Sequence, residues 1–219
     1  MTDEEIIEKT VAFVKQTLQG AEGGHDWFHI QRVFNNTLLI AKKEKVHRLT
    51  VSLAALLHDI ADAKFYDGDE RVGPKMAVDF LNSINVPKDV VDHVENIIIH
   101  ISFKNSLDKE GSNFISKELQ VVQDADRLDA IGAIGIARAF NYGGFKNREL
   151  YNPEIAPKLN LSKEAYKKSN SPTINHFYEK LLLLKDKMNT TTGRQLAEKR
   201  HQFLLDYLEQ FFEEWNGSR

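Results

Sequence analysis

The chain has no cysteine among its 219 residues. Disulfides, a thiolate nucleophile and zinc–thiolate ligation are therefore excluded, and the composition fits the cytoplasm. Long apolar runs are also missing. None approaches the ~18 residues a membrane helix needs, and the longest, near 50–60, is interrupted by His58 and Asp59. Charge of one sign is not in excess: the net charge is −3, with 28% charged residues. That argues against nucleic acid as the main partner. It leaves acidic small molecules open, because a local cation outweighs a mildly negative protein. Met1 to Glu5 is acidic without an apolar core and does not read as a signal peptide. Strand-like alternation, internal repeats and low-complexity segments are absent.

What remains is helical periodicity, with 42% hydrophobic residues to build a core. The spacing predicts helices over 3–18, 27–45 behind an Asp26 cap, 51–61 behind a Thr50 cap, 73–84, and 87–102 opened by Pro87. Others are expected from a Ser116 cap through Asp126 and over 129–141, where Gly132 and Gly135 permit close helix contact. Two amphipathic helices, 172–188 and 190–214, close the chain. Before them, 143–171 reads as a long irregular loop or lid, with one short helix near 162–168. The expectation is one all-α domain over 1–219, with its core at about 20–140 and the C-terminal helices, about 172–214, packed on it.

Three stretches carry chemistry. The apolar helix 51–61 ends in His58-Asp59, with Asp62 three residues on. Neighbouring helical residues point about 100° apart, so His58 and Asp59 converge on one centre only near a helix end. An imidazole and a carboxylate in an apolar wall suit a divalent ion, because a buried charge must be paired or coordinated. Gly24-His25-Asp26-Trp27-Phe28-His29 places His29 in the first turn of a helix. Gln123-Asp124-Ala125-Asp126-Arg127-Leu128-Asp129 offers three carboxylates late in another.

The order His…His-Asp…Asp resembles the HD-domain metal-dependent phosphohydrolase superfamily. The blocks 25–29, 58–65, 124–138 and Asn175-His176-Phe177-Tyr178-Glu179-Lys180-Leu181-Leu182 resemble its small bacterial YpgQ/YedJ-like branch over nearly the whole chain. The resemblance implies a helical HD-type bundle. It also implies His29, His58, Asp59 and Asp126 as metal ligands, and it alone selects Asp126 over Asp124. Two imidazoles and two carboxylates leave two positions of an octahedral ion for water and a phosphate oxygen. Such mixed ligation favours Mn²⁺, with Mg²⁺, Co²⁺, Ni²⁺ or Fe²⁺ compatible.

Asp62 is the expected catalytic group, orienting or deprotonating water. Lys64, His25, His100, Lys104, Arg127 and Arg138 are expected to contact substrate. Lys64 has a plainer reading as a solvated lysine, and the two arginines as ion-pair partners of Asp124 or Asp129. His93 and His100 share a helix face about 10 Å apart in rise, so at most one reaches a centre near the metal. Trp27 and Phe28 are expected to pack and so fix His29, and His176 to anchor the C-terminal helices.

The expected activity is hydrolysis of a phosphorylated small molecule, and the branch points to a nucleoside triphosphate cleaved to monophosphate and pyrophosphate. Nucleoside monophosphate hydrolysis and cyclic-nucleotide phosphodiesterase activity are alternatives. A di-iron oxygenase and a non-catalytic nucleotide sensor are further ones. The glycine-containing helix and the long tail helices offer a surface for a homodimer.

Overall fold

Every residue from Leu49 to Leu57 is buried. This near-unbroken apolar helix is one against which three others pack. A computed structural model describes residues 1–20, 26–61, 69–101, 114–159 and 170–218. Among them the chain is all-α, with nine α-helices and no strand. The chain divides into two compact units, Met1–Asp126 and Arg127–Arg219.

The first unit begins with α1 (Asp3–Thr17), closed at its start by a reciprocal Thr2–Glu5 capping box. Helix α2 (Trp27–Ala41) is capped by Asp26, whose Oδ1 accepts the His29 N–H at 3.0 Å. Helix α3 (Arg48–Leu57) packs on α1, α2 and α5 (Lys88–His100), and α4 (Val72–Ser83) packs on α5. Helix α3 starts earlier than its sequence suggests. Thr50 lies inside it, its hydroxyl 2.8 Å from His47 Nδ1, and His47 occupies the cap position. The helix also ends earlier, at Leu57, which leaves His58 and Asp59 in the turn that follows. That ending removes the 100° constraint that a continuous helix would impose.

Pro87 stands at the cap of α5, where its missing N–H costs nothing. Ser116 caps α6 (Lys117–Asp129), its Oγ accepting the Leu119 N–H at 3.0 Å.

In the second unit, α7 (Gly132–Phe145) packs on the long last helix, α9 (Thr191–Trp215). Gly132 has φ +74°, and a Cβ there would stand 3.0 Å from Arg200 Cβ, so a side chain is disfavoured twice over. The expected close helix contact at Gly132 is thus present. Phe140, Phe177 and Tyr207 form a ring cluster with centroids 5.8–6.2 Å apart.

The expected long helix over 172–188 is broken. Helix α8 covers only Thr173–Glu179, followed by 3₁₀ turns at Leu181–Leu183 and Lys185–Lys187. Leu181 and Leu184 are both buried at a spacing of three, which suits a helix of three residues per turn. No Gly or Pro lies between 173 and 188 to signal the break. Of the expected lid, 143–171, residues 143–145 instead continue α7, and the segment 146–159 is irregular as read. It is pinned by bonds from Thr173 N to Glu149 O and from Ile174 N to Leu150 O, and by the Tyr151 ring against Phe212 and Trp215. The short helix expected near 162–168 lies outside the described residues. No helix among the described residues is long and apolar enough to cross a membrane.

Candidate metal centre

His29 is 2% exposed, held in the first turn of α2 by the Asp26 cap. His58 sits at the C-cap of α3 and is half-buried. Asp126 is in the last turn of α6. These three side chains converge: each offers one donor atom, and the atoms all lie within 4.8 Å of one another. His29 Nε2 is 3.7 Å and His58 Nε2 3.9 Å from Asp126 Oδ1. Those separations are too long for hydrogen bonds. Donors each roughly 2.1 Å from a shared cation stand roughly 3–4 Å apart. The imidazole rings meet edge to face at 5.4 Å.

The tautomer of His58 follows from its neighbour. His58 Nδ1 lies 2.9 Å from the Ala55 carbonyl oxygen. A carbonyl only accepts, so Nδ1 carries the proton and the lone pair of the neutral ring is on Nε2, the atom that faces Asp126. The helix that delivers His58 therefore also sets it as a ligand. Two neutral imidazole nitrogens and one carboxylate oxygen, without sulfur, fit a divalent cation of the first transition row or Mg²⁺.

Asp59 is half-buried in the same turn as His58 but lies outside the three-residue group. His25, Asp62, Lys64 and Lys104 fall outside the described residues.

His100 keeps its ring oriented by donating from Nδ1 to the Asn96 carbonyl at 2.7 Å, and its own carbonyl accepts from Gln123 Nε2 of α6. His93 places Nε2 3.0 Å from Ser116 Oγ, the cap of α6. Phe114 meets both rings, 5.8 Å from His93 and 5.3 Å from His100. His93 thus has a structural partner, and Nδ1 of His100 is engaged by its own helix.

Arg127 donates to the Lys187 carbonyl, and Arg138 pairs with Asp129 Oδ2 at 2.8 Å. For Arg138, this is the ion-pair arrangement that the sequence left open.

The packing expectation for Trp27 and Phe28 is only half met. Trp27 is half-buried under the Lys15 ammonium, 4.8 Å from its ring. Phe28 is 62% exposed, so it does not fix His29 by burial; the Asp26 cap holds that turn instead. Adjacent helical positions diverge by 100°, so burying His29 turns its neighbour outward. Sequence reading also missed the bond from His58 Nδ1 to the Ala55 carbonyl, although a carbonyl three residues upstream of a helix-terminal His was the available signal.

The HD domain family matches residues 27–131, which include the three converging side chains. YpgQ of Bacillus subtilis (strain 168) is 41% identical over 203 residues, spanning 93% of this chain and 90% of that protein. A crystal structure of an HD-superfamily hydrolase from Bacillus thuringiensis is 43% identical, with a TM-score of 0.77, covering 98% of this chain and 99% of the other. A crystal structure of Bacillus subtilis YpgQ in complex with ADP is 37% identical, with a TM-score of 0.75, covering 98% and 97%. The chain belongs to the HD-superfamily hydrolases, and it is a metal-dependent phosphohydrolase.

Proposed function

We propose that this phosphohydrolase is a nucleotide pyrophosphohydrolase, cleaving a nucleoside or deoxynucleoside triphosphate to monophosphate and pyrophosphate. The observation that carries the metal-dependent part is the convergence of His29, His58 and Asp126 within 4.8 Å, with the His58 lone pair aimed into the group. Support for a nucleotide comes from the ADP bound by the related YpgQ.

His29, His58 and Asp126 hold the ion, and Asp59, beside His58, supplies a fourth donor. Mn²⁺ is the proposed ion, since mixed nitrogen and oxygen donors without sulfur suit it. When bound, such an ion polarises a phosphoryl oxygen and acidifies water. Asp62 orients the attacking water and takes its proton. Lys64 and Lys104 neutralise the phosphate chain, and His25 and His100 contact it. His100 has its Nδ1 proton committed to Asn96 and offers Nε2 to a protonated phosphate or to water. Arg127 and Arg138 act by holding α6 in place, through the bonds that engage them. We further read 1–219 as one functional HD-type domain working in the cytoplasm, as a homodimer.

The test is a nucleotide panel with Mn²⁺, scoring pyrophosphate against orthophosphate. Pyrophosphate released from triphosphates is the expected result. Orthophosphate released only from monophosphates would overturn the pyrophosphohydrolase reading and leave the metal centre untouched.

A further inference from the structure

We infer that Arg200 is a positioning residue for Asp126, acting through the last turn of α6; the inference rests on reading His29, His58 and Asp126 as a metal centre. A helix ends with four carbonyls that lack intrahelical partners, and its last turn frays unless something receives them. In α6 the ladder tightens beyond Asp126, with Ala130 N bonded to Arg127 O at 3.1 Å and Ile131 N to Leu128 O at 3.4 Å. Arg200 Nη1, reaching from α9, donates to the Leu128 carbonyl, two residues after Asp126. Arg138 Nη1, from α7, donates to the Asp129 carbonyl at 3.3 Å and pairs with its carboxylate at 2.8 Å. Asp129 is 1% exposed. Two guanidinium groups thus secure successive residues of one helix end, where positive charge is also favoured by the helix dipole.

The approach of Arg200 is built in. Gly132 has φ +74°, and any Cβ there would stand 3.0 Å from Arg200 Cβ and 3.1 Å from its Cγ. Burial pushes the Arg200 guanidinium below its usual range, and the Asp129 carboxylate opposes that shift. A desolvated arginine of this kind needs its acceptors in place.

The geometry makes Asp126 sensitive to this anchor. A side-chain oxygen roughly 5 Å from a helix axis moves about 1 Å for each ~10° by which the last turn unwinds. A metal–ligand distance tolerates only about 0.2 Å. A bond at Leu128 therefore has leverage over ion binding without touching the ion.

The experiment is a Co²⁺ titration of the full chain, read by the visible ligand-field bands of the ion, with far-UV circular dichroism as a check of folding. The variants are R200M, R200K, R138Q and D126N. We expect R200M to weaken Co²⁺ binding by about 10- to 100-fold, the range for partners that orient a ligand, and to shift the bands while helicity stays at the wild-type level. R200K, which restores a donor, falls between the two. If R200M does not fold, R200K and R138Q decide in the same terms. Wild-type affinity and bands in the folded Arg200 variants would overturn the inference. Absence of Co²⁺ binding by the wild-type chain, or wild-type binding by D126N, would overturn the metal centre and the inference with it.

Discussion

His58 and Asp126 reach the same centre, but they are held in opposite ways. His58 is oriented by a carbonyl three residues upstream in its own helix. The turn that carries Asp126 is secured by an arginine 72 residues along the chain from the carbonyl to which it donates. Arg127, next to Asp126, bonds a carbonyl 60 residues on. One ligand is therefore set by local helix geometry within a buried apolar rod, and the other by long-range polar bonds. A local arrangement survives loosening elsewhere in the fold, whereas a long-range one fails with the packing that brings its partners together.

The sharpest test of this contrast is at His58. His58→Ala is expected to lower hydrolysis and Mn²⁺ affinity by more than about 100-fold, beyond the loss caused by orienting partners, with the melting temperature nearly unchanged. Calorimetric metal titration and a phosphate-release assay check it; retained metal affinity would break the comparison at its local end.

Next comes the rod itself. Leu56 is 0% exposed in α3, and Leu56→Ala is expected to cost about 2–5 kcal/mol of stability by urea unfolding. A loss below about 1 kcal/mol would mean that α3 is not the rigid support described.

The long-range region has its own pH signature. Burial, with the nearby Lys180 and Arg148 charges, pushes the His176 imidazole down to about 3. In the unfolded chain it takes up a proton near 6.5. Stability from this residue is therefore present above about pH 6.5 and lost as pH falls toward about 3, by at most about 1.4 kcal/mol per pH unit. Unfolding free energies measured stepwise from neutral pH down to about pH 4 should show that slope, and His176→Gln should flatten it. An identical slope in the variant would remove His176 from the explanation.

The smallest effect belongs to the His29 cap. Asp26→Ala removes the acceptor of the His29 N–H and is expected to cost about 1 kcal/mol, with metal affinity falling less than in R200M. A larger affinity loss than R200M shows would reverse the ranking of local and long-range support.

Much of this was readable from residues alone. The all-α class, the Asp26 and Ser116 caps and the apolar character of the helix expected over 51–61 follow from periodicity and short-range bonding, which depend on residues a few positions apart. The break after Glu179 was not readable, because the leucines that create it suit an α-helix and a 3₁₀ turn almost equally; the burial of Leu181 and Leu184 together decides between them. The exposure of Phe28 was misjudged because an aromatic beside a ligand reads as packing until the buried face of α2 is known.

The sequence by itself determined the all-α class and that His29, His58 and a carboxylate of 124–129 are candidates for one ion. Only the tertiary structure decided that Asp126 meets both imidazoles and that Arg200 closes the end of α6. The physical reason is range. Capping and periodicity are fixed within a turn or two of chain, while a ligand triad drawn from residues 29, 58 and 126 exists only where separate helices pack.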